Sequence, residues 1–338
     1  MTPEERTAWL EDRRLSLGAS DVPQVLGLSR WGGPWQVWAS KVHGIDSDPG
    51  IPARVGLALE DLVAELFAER CPDAEVAMPP GLVRPEGDAW AHATPDRWVL
   101  WPGQDAPEAL QIKTSRSAKG WGPDGSMAIP DTEDGGTVPA AYYVQTMWEM
   151  WITLRIHDEQ GIPAGAARGW LAVLIGNADF RVYQLEWDPA LVRAMVTRCK
   201  AWWEAHVIGR EAPPIDSTYA CGDVLAGLHG QPQGVIALPE GMGTWVDVYL
   251  RSMRQRRTYD REARQAKNWI LEMLGGARSG LVIMPNGERI EVSRHLRQGR
   301  SGPYNTISIR TPPASRRPTV PLLEDEHGIP TYRAMEAR

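Results

Sequence analysis

The sequence predicts a mixed α/β (α+β) domain in which helices flank a mixed central sheet. Three observations predict it: an amphipathic helix near residues 55–70, several strand-like runs between residues 75 and 114, and a helix, two strands and a further helix up to about residue 208. This order of elements is typical of an α+β or α/β domain with a mixed sheet. With 338 residues, of which 43% are hydrophobic, the chain is long and apolar enough to bury a sizeable core.

The helix near residues 55–70 is recognised by its apolar stripe. Apolar residues recur at helical spacing along one side of it: Leu59, Leu62, Val63, Leu66 and Phe67. Three acids spaced four residues apart lie on the opposite side: Asp61, Glu65 and Glu69. Glu60 does not lie with those acids, because it precedes two members of the stripe by three and seven residues. We therefore expect the Glu60 side chain at the edge of the inward face.

Short strand-like runs separated by Pro and Gly follow this helix and predict the first strands of the sheet. They are residues 75–78, 82–83, 90–93, 97–101 and 109–114. Residues 120–137 form a loop rich in Gly, Pro and acids, and a helix begins after it at Pro139, because proline is favoured in the first turn. Two apolar strands at residues 169–175 and 180–187 and an amphipathic helix at 189–208 complete the predicted domain.

Pro- and Gly-containing segments predict that the chain has two units. We expect a first domain at residues 1–213, a linker at 214–242 and a C-terminal unit at 243–338. The C-terminal unit is expected to hold one long helix followed by a β-hairpin. The whole chain has a net charge of −7, yet residues 251–310 carry 13 Lys and Arg against 5 Asp and Glu. This basic segment is predicted to contact phosphate groups or a partner.

Cysteine usage and hydropathy exclude several classes of protein. Cys71, Cys199 and Cys221 are far apart and lack metal-binding spacing, which excludes a disulfide framework and a zinc finger and favours a reducing compartment. The N-terminal residues lack the apolar segment of a signal peptide, and no run of about 18 apolar residues is present. Phosphate-loop, dinucleotide-binding and HExxH motifs are missing as well. We therefore expect a soluble, cytoplasmic protein without a membrane partner.

Three short segments contain the residue types that cleave phosphodiesters. Glu60 lies on the helix, Asp96 follows a proline at a strand junction, and the third segment, Gln111-Ile112-Lys113, lies in a strand. Alternate residues of a strand share a face, so Gln111 and Lys113 point to the same side. Two carboxylates, a strand carbonyl and a lysine suit phosphodiester hydrolysis, in which a divalent metal neutralises charge on the phosphate. Lys113 is also one of only five lysines among 36 basic residues.

These segments resemble a known family of nucleases. Pro95-Asp96, followed about 14 residues later by Gln111-Ile112-Lys113, is similar to the PD-(D/E)XK nuclease motif. Residues 17–21 (LGASD), 56–60 (GLALE) and 139–145 (PAAYYVQ) narrow the resemblance, over roughly residues 8–210, to the YqaJ-like viral recombinase family of lambda-type exonucleases. The resemblance implies a restriction-endonuclease-like core and a 5′→3′ exonuclease. Such an enzyme digests linear double-stranded DNA and exposes 3′ single strands for phage-type recombination.

Carried over residue by residue, the resemblance implies a site for one or two Mg²⁺ or Mn²⁺ ions. The implied metal ligands are Glu60, Asp96, Gln111 and the main-chain carbonyl of Ile112. Lys113 would orient the attacking water or stabilise the developing negative charge. Together these residues form the implied catalytic set, to which Gln145 also belongs.

The same resemblance implies how DNA is bound. Arg13 and Ser20 match the positions that hold a terminal 5′-phosphate, and a guanidinium fork suits a phosphate dianion. Tyr142 and Gln145 lie three residues apart on one helical face, where Gln145 would hold part of the site or the DNA backbone. The implied substrate is a double-stranded DNA end. The implied partners are further copies of the chain, in a trimeric ring, and a phage single-strand annealing protein in a bacterial host.

Gln111 departs from the family, which usually has Glu at this position. Gln keeps a carbonyl oxygen but lacks the negative charge, so we expect weaker binding of a second metal ion. Three alternatives stay open. The chain is an active exonuclease in which Gln111 is natural, a catalytically impaired DNA-binding protein on the same fold, or a structure-specific endonuclease of the same superfamily. In the second alternative Gln111 is either natural or the result of an engineered Glu→Gln change.

Overall fold

The computed structural model describes residues 3–46, 50–133, 135–162, 168–229, 235–239, 241–284, 287, 289–299, 302–310, 323–324 and 330–331. It divides the chain into two compact units, Met1–Gln233 and Gly234–Arg338. Among the helices within these described ranges, none is long and apolar enough to cross a membrane.

The first unit contains the predicted alternation of helices and strands. Its helices are α1 (Pro3–Arg14), α2 (Val22–Val25), α3 (Pro34–His43), α4 (Gly50–Arg70), α5 (Ala140–Glu159), α6 (Pro189–Trp202) and α7 (Tyr219–His229). Its strands are β1 (Leu17–Gly18), β2 (Glu75–Ala77), β3 (Ala91–His92), β4 (Arg97–Leu100), β5 (Glu108–Ser115), β6 (Arg168–Ile175) and β7 (Asp179–Glu186). A π-helical turn, Trp203–Ile208, extends α6.

The central sheet has five strands in the order β2-β4-β5-β6-β7. Strands β5 and β6 are parallel, whereas the other neighbouring pairs are antiparallel. Parallel neighbours need a crossover connection, and the segment that contains α5 supplies it. The predicted mixed sheet flanked by helices is therefore confirmed.

Apolar clusters cover both faces of this sheet. On one face, Val63 and Phe67 of α4 pack with Leu110 and Ile112 of β5. Helices α5 and α6 cover the other face. Because side chains alternate along a strand, Gln111 points away from α4, and it is 2% exposed. A polar residue is thus enclosed between the sheet and α5.

The apolar stripe predicted for α4 is only partly buried. Val63 and Phe67 are fully enclosed, but Leu62 is 44% exposed. Apolar residues in the first half of the helix are exposed as well: Ile51, Val55 and Leu57. The sheet is therefore covered by the second half of α4, where the predicted stripe from Leu59 to Phe67 lies.

The segment predicted as a linker, residues 214–242, contains a packed helix and needs correction. In α7 the side chains of Cys221 and Val224 are buried against Trp35 and Trp38 of α3. This helix belongs to the first unit, which extends to Gln233. Pro and Gly residues around α7 predicted a linker because they mark turns at its ends as readily as they mark flexible chain.

The second unit follows the predicted order of one long helix and a hairpin. Helix α8 spans Met242–Leu274, and strands β8 (Ser279–Ile283), β9 (Arg289–Gly299) and β10 (Gly302–Arg310) form an antiparallel sheet. Two short strands, β11 (Leu323–Glu324) and β12 (Pro330–Thr331), pair with each other. In the described part of α8 no side chain is buried within the unit. Pro285 and Asn286, predicted in the hairpin turn, lie outside the described residues.

Candidate metal and DNA site

The candidate site forms where β4 begins beside β5. Arg97 pairs with Leu110 across these antiparallel strands, so Asp96 lies next to Gln111. The main-chain N–H of Ile112 donates a 2.6 Å hydrogen bond to Oδ2 of Asp96, and the side-chain amide of Gln111 donates to the same oxygen. Strand pairing thereby holds the acid against the strand that carries the amide and the lysine.

Gln145 of α5 contacts Gln111 from the other side. Its Nε2 donates a 2.6 Å hydrogen bond to Oε1 of Gln111. Nε2 of Gln111 faces Asp96, so both ends of the Gln111 amide have partners. The sequence-predicted residues Asp96, Gln111 and Gln145 are thus joined by hydrogen bonds.

Lys113 lies two residues along β5, on the same side of the strand as Gln111. Its Nζ is 5.2 Å from the centre of the Tyr142 ring, within the range of a cation–π contact. The Tyr142 ring in turn stacks on Trp121, with a centroid distance of 5.7 Å. Tyr142 therefore lies beside the site, in contact with the ammonium group of Lys113.

Glu60 reaches the site from α4 and is bound to an arginine that sequence reasoning missed. Nη1 of Arg97 donates a 2.6 Å hydrogen bond to Oε1 of Glu60, and Nη2 donates to Asp61. Arg97 is 5% exposed, so its charge needs these two carboxylates. Asp61, expected to face only solvent, is largely exposed but holds Arg97 as well.

The environment of Asp96 makes it a weaker acid than usual. Burial is the main cause, and the nearby Glu60 carboxylate adds to it, so the pKa of Asp96 is raised to about 6. Lys113 and the N–H of Ile112 act in the opposite direction but do not outweigh them. Two carboxylates that repel each other in a buried place are stabilised by a bound cation.

Glu149 is a second residue that sequence reasoning missed. It lies one turn after Gln145 on α5, is fully buried, and accepts a 3.2 Å hydrogen bond from Nε2 of Gln145. Burial, and then the Asp96 carboxylate, raise the pKa of Glu149 well above its usual value. A charged residue type inside an apolar helical stretch, four residues after Gln145, is the sequence signal that was available.

Arg13 and Ser20 also meet, but in a cluster of their own. Nη2 of Arg13 donates a 2.9 Å hydrogen bond to Oγ of Ser20, and the guanidinium lies 4.5 Å from the centre of the Trp9 ring. Lys41 supports this cluster, since its Nζ donates to the carbonyl of Arg13 at 2.8 Å and contacts Oδ2 of Asp21 at 2.7 Å. Neither Lys41 nor Asp21 was predicted as a site residue, although Asp21 ends the motif at residues 17–21 and lysine is rare in this chain.

A short parallel pairing connects this cluster to the chain that carries Asp96. Gly18 of β1 pairs with His92 of β3, four residues before Asp96. His92 is buried and shares a 2.8 Å hydrogen bond with Ser16. Burial and the nearby Lys41 charge lower the pKa of His92 to about 3, so it is a neutral structural residue.

The donor set around Asp96 can be tested for fit to a divalent metal ion. Among the described residues, no three Asp, Glu, His or Cys side chains form a metal-holding group. The set consists instead of two carboxylates, Glu60 and Asp96, the carbonyl of Ile112 and the amide oxygen of Gln111. That amide would have to turn over to join the set, because it presents Nε2 to Asp96 and Oε1 to Gln145. All four are oxygen donors, which hard ions such as Mg²⁺ and Mn²⁺ prefer. This chemistry fits a hard divalent cation and does not fit zinc.

Comparisons with known proteins find a matching family model and a curated relative. Residues 8–155 match the family model of the YqaJ-like viral recombinase domain. The uncharacterized protein YqaJ of Bacillus subtilis (strain 168) is 24% identical over 281 residues, which are 82% of this chain and 81% of that protein.

Two solved structures are similar in fold to part of the chain. An alkaline exonuclease, LHK-Exo, from Laribacter hongkongensis is 17% identical, with a TM-score of 0.43, over 60% of this chain and 93% of that one. A phage related exonuclease from Haemophilus somnus 129PT is 10% identical, with a TM-score of 0.39, over 58% of this chain and 97% of that one.

Fold and site together define a mixed α/β domain that holds an acid, an amide and a lysine on neighbouring strands of its central sheet. More narrowly, residues 8–155 match the model of the YqaJ-like viral recombinase domain. The resemblance predicted from the sequence motifs is therefore confirmed over these residues.

Proposed function

We propose that this chain is a divalent-metal-dependent 5′→3′ exonuclease that digests linear double-stranded DNA and exposes 3′ single strands for phage-type recombination. One observation carries the proposal: within a viral recombinase domain, Asp96 is held against Gln111 of β5, the strand that also carries Lys113. An acid and a lysine fixed on neighbouring strands are suited to a phosphate that must be both neutralised and attacked.

Glu60, Asp96, Gln111 and the carbonyl of Ile112 are the proposed ligands of one or two Mg²⁺ or Mn²⁺ ions. When bound, such an ion supplies positive charge beside the scissile phosphate. The raised pKa of Asp96, caused mainly by burial and to a lesser extent by the Glu60 carboxylate, supports the assignment, because a bound cation would stabilise the ionised carboxylate in such surroundings.

Lys113 and Gln145 act on the substrate side of this site. The ammonium of Lys113 provides a second positive charge, which orients the attacking water or stabilises charge on the phosphate. Gln145 is assigned to positioning, since its 2.6 Å hydrogen bond fixes the amide of Gln111. Tyr142 keeps Lys113 in place through its ring and is proposed to border the DNA backbone.

Arg13 and Ser20 are proposed to hold the terminal 5′-phosphate, which gives the enzyme its 5′→3′ direction. Their 2.9 Å contact and the Trp9 ring beside Arg13 support this role, because they hold the guanidinium fork in one orientation. The Lys41–Asp21 ion pair beneath them supports the backbone of Arg13.

The second unit is proposed to bind DNA phosphates or a partner. Residues 251–310 carry 13 Lys and Arg against 5 Asp and Glu, and arginines such as Arg254 and Arg257 are exposed on α8. We further propose a trimeric ring around DNA and a phage single-strand annealing protein as partner, in the cytoplasm of a bacterial host.

A time course on end-labelled linear duplex tests the function. We expect nucleotides to be released from 5′-phosphorylated ends in Mg²⁺ or Mn²⁺, more slowly from ends without phosphate, and not at all in EDTA. A covalently closed circle is the control and should be spared. Cutting of the circle would instead identify a structure-specific endonuclease, and release in EDTA would contradict the metal site.

Gln111 favours a second candidate function, that of a catalytically impaired DNA-binding protein. Its amide removes one negative charge, and Arg97 already neutralises Glu60. The Gln111→Glu variant separates the two candidates. Digestion by the natural protein supports the exonuclease, whereas end binding without product release, converted to digestion by Gln111→Glu, supports the impaired protein.

A further inference from the structure

Arg97 is a buried arginine to which the proposed function gives no role of its own. It is the first residue of β4, directly after Asp96, and it is 5% exposed. Since alternate residues of a strand share a face, Arg97 lies on the same side of β4 as Val99, which packs in the apolar cluster beneath α4. A guanidinium keeps its charge at any physiological pH, and burying it is costly without partners. Packing alone therefore gives no reason for an arginine at this position.

The contacts of the Arg97 guanidinium lead to the proposed metal ligands. Its Nη1 donates a 2.6 Å hydrogen bond to Oε1 of Glu60 and also donates to the main-chain carbonyl of Asp96. Its Nη2 donates to Asp61, which neighbours Glu60 on α4. The charge of Arg97 also acts on the Asp96 carboxyl group. The guanidinium is thus fixed between the helix that carries one proposed ligand and the strand that follows the other.

The charge balance of the site leaves room for one divalent ion. The proposed ligand set contains two carboxylates, and Arg97 already pairs with that of Glu60. Gln111 adds no charge, and its amide presents Nε2 to Asp96. Lys113 brings a further positive charge from β5. Once one divalent ion is bound, positive charges outnumber the carboxylates, so a second ion at about 4 Å, the spacing of two-metal sites, would be repelled.

We propose that the guanidinium of Arg97 takes the place of a second metal ion, so that this site binds one divalent ion per chain. This inference rests on the proposed function, because it concerns the same metal site. Arg97 is a positioning residue in this role, since it acts through Glu60. It holds that carboxylate in place with a positive charge that is always present.

Equilibrium dialysis of the full chain against Mn²⁺, without DNA, counts the bound ions. We expect one ion per chain in the natural protein and in the Gln111→Glu variant, because Arg97 is present in both. The double variant Arg97→Gln/Gln111→Glu should bind two ions, since it removes the guanidinium and adds a third carboxylate. The matched control is Arg97→Lys/Gln111→Glu, which keeps the positive charge and should bind one ion.

The affinity for the first ion provides a second measurement. Arg97→Gln alone should bind Mn²⁺ at least about 10-fold more tightly than the natural protein, because a nearby positive charge is removed. A purely structural arginine would not change the affinity or the number of ions in this direction. Thermal unfolding in chelator establishes that each variant is folded.

Asp61→Asn tests the inference without changing a buried residue. It releases Nη2 of Arg97, so more of the guanidinium charge acts on Glu60 and Mn²⁺ affinity should fall by roughly two- to fivefold, the effect of an exposed ion pair. Glu65→Gln, which changes another exposed acid of α4, should keep the natural affinity.

Three results would overturn the inference alone. They are two ions in the natural protein, a folded Arg97→Gln/Gln111→Glu variant that binds one ion, and an unchanged affinity in Asp61→Asn. A natural protein that binds no Mn²⁺ would overturn the proposed function as well.

Discussion

Two half-buried aspartates of the first unit, Asp21 and Asp96, have pKa values shifted in opposite directions. At Asp21 burial by itself raises the pKa, but the charges of Lys41 and Arg13 outweigh it and lower the pKa to about 2. At Asp96 burial is reinforced by Glu60, and the pKa rises to about 6. The side chain is the same in both places, so the neighbours decide which form is favoured.

The difference separates a structural acid from the acid that we propose as a metal ligand. Asp21 has a cation at 2.7 Å and a main-chain N–H at 2.9 Å, so its charge is already satisfied. Asp96 is held by neutral donors, the main-chain N–H of Ile112 at 2.6 Å and the amide of Gln111. A strongly perturbed acid of this kind, beside a lysine, is what a catalytic or metal-binding site is expected to contain.

Replacing Asp96 should have the largest effect on activity. Asp96→Asn removes a proposed metal ligand, and we expect nuclease activity to fall on the order of 10³-fold. Stability should not fall, since the variant no longer buries a charge that lacks a cation. End-labelled duplex digestion and urea unfolding measure the two quantities, with the exposed Asp73→Asn as control. A parallel loss of stability and activity would make Asp96 a structural acid like Asp21.

Replacing Asp21 should reduce stability, whereas replacing Asp96 should reduce activity. Asp21→Asn leaves the buried ammonium of Lys41 without its partner, so the free energy of unfolding should fall by about 3–5 kcal/mol. Adding Lys41→Met should recover part of this loss, because the unpaired charge is then removed. Urea denaturation of the Asp21→Asn variant and of the Asp21→Asn/Lys41→Met double variant measures both effects. A double variant no more stable than Asp21→Asn would contradict the role of the Lys41–Asp21 ion pair.

The pH dependence of the free energy of unfolding should show the titration of both Asp96 and Asp21. In chelator, Asp96 binds its proton more tightly when folded, with a pKa near 6 against 3.8 when unfolded. Stability should therefore fall by about 3 kcal/mol as the pH rises between these values. Asp21 has the opposite sign, because its stabilising charge is fully present above pH 3.8 and is lost as the pH falls towards 2.

Variants assign each part of this profile to one acid. Asp96→Asn should flatten the decline between pH 3.8 and 6, and Asp21→Asn should flatten the loss below pH 3.8. The free energy of unfolding, measured by urea denaturation across this range, provides the test. A decline that persists in Asp96→Asn would show that another group causes it.

The smallest effect is expected at Ser20. Ser20→Ala removes the 2.9 Å hydrogen bond from Arg13, a contribution of about 1 kcal/mol. The preference for 5′-phosphorylated over unphosphorylated ends should fall by less than about tenfold, while the rate on unphosphorylated ends stays the same. The ratio of initial rates on 5′-phosphorylated and unphosphorylated duplex measures this preference. An unchanged ratio would remove Ser20 from the phosphate site.

Local pattern was sufficient for most elements of the first unit. Strand β5 was predicted at residues 109–114 and spans Glu108–Ser115, and the two apolar strands that follow α5 agree within one residue at each end. These elements are determined by the alternation of apolar and polar residues and by Gly and Pro residues at their ends. Both signals depend only on residues close together in the sequence. The linker was predicted wrongly because the burial of α7 depends on tryptophans of α3 far away in the sequence.

By itself, the sequence determined the mixed sheet, the motif residues Asp96, Gln111 and Lys113, and the family they resemble. Strand alternation places Gln111 and Lys113 on one side, and this needs no knowledge of other elements. Only the tertiary structure decided which charges meet. The contacts of Arg97 with Glu60 and of Lys41 with Asp21 join residues 37 and 20 positions apart. The periodicity of apolar residues along the sequence does not predict such contacts, because they depend on how whole helices pack against the sheet.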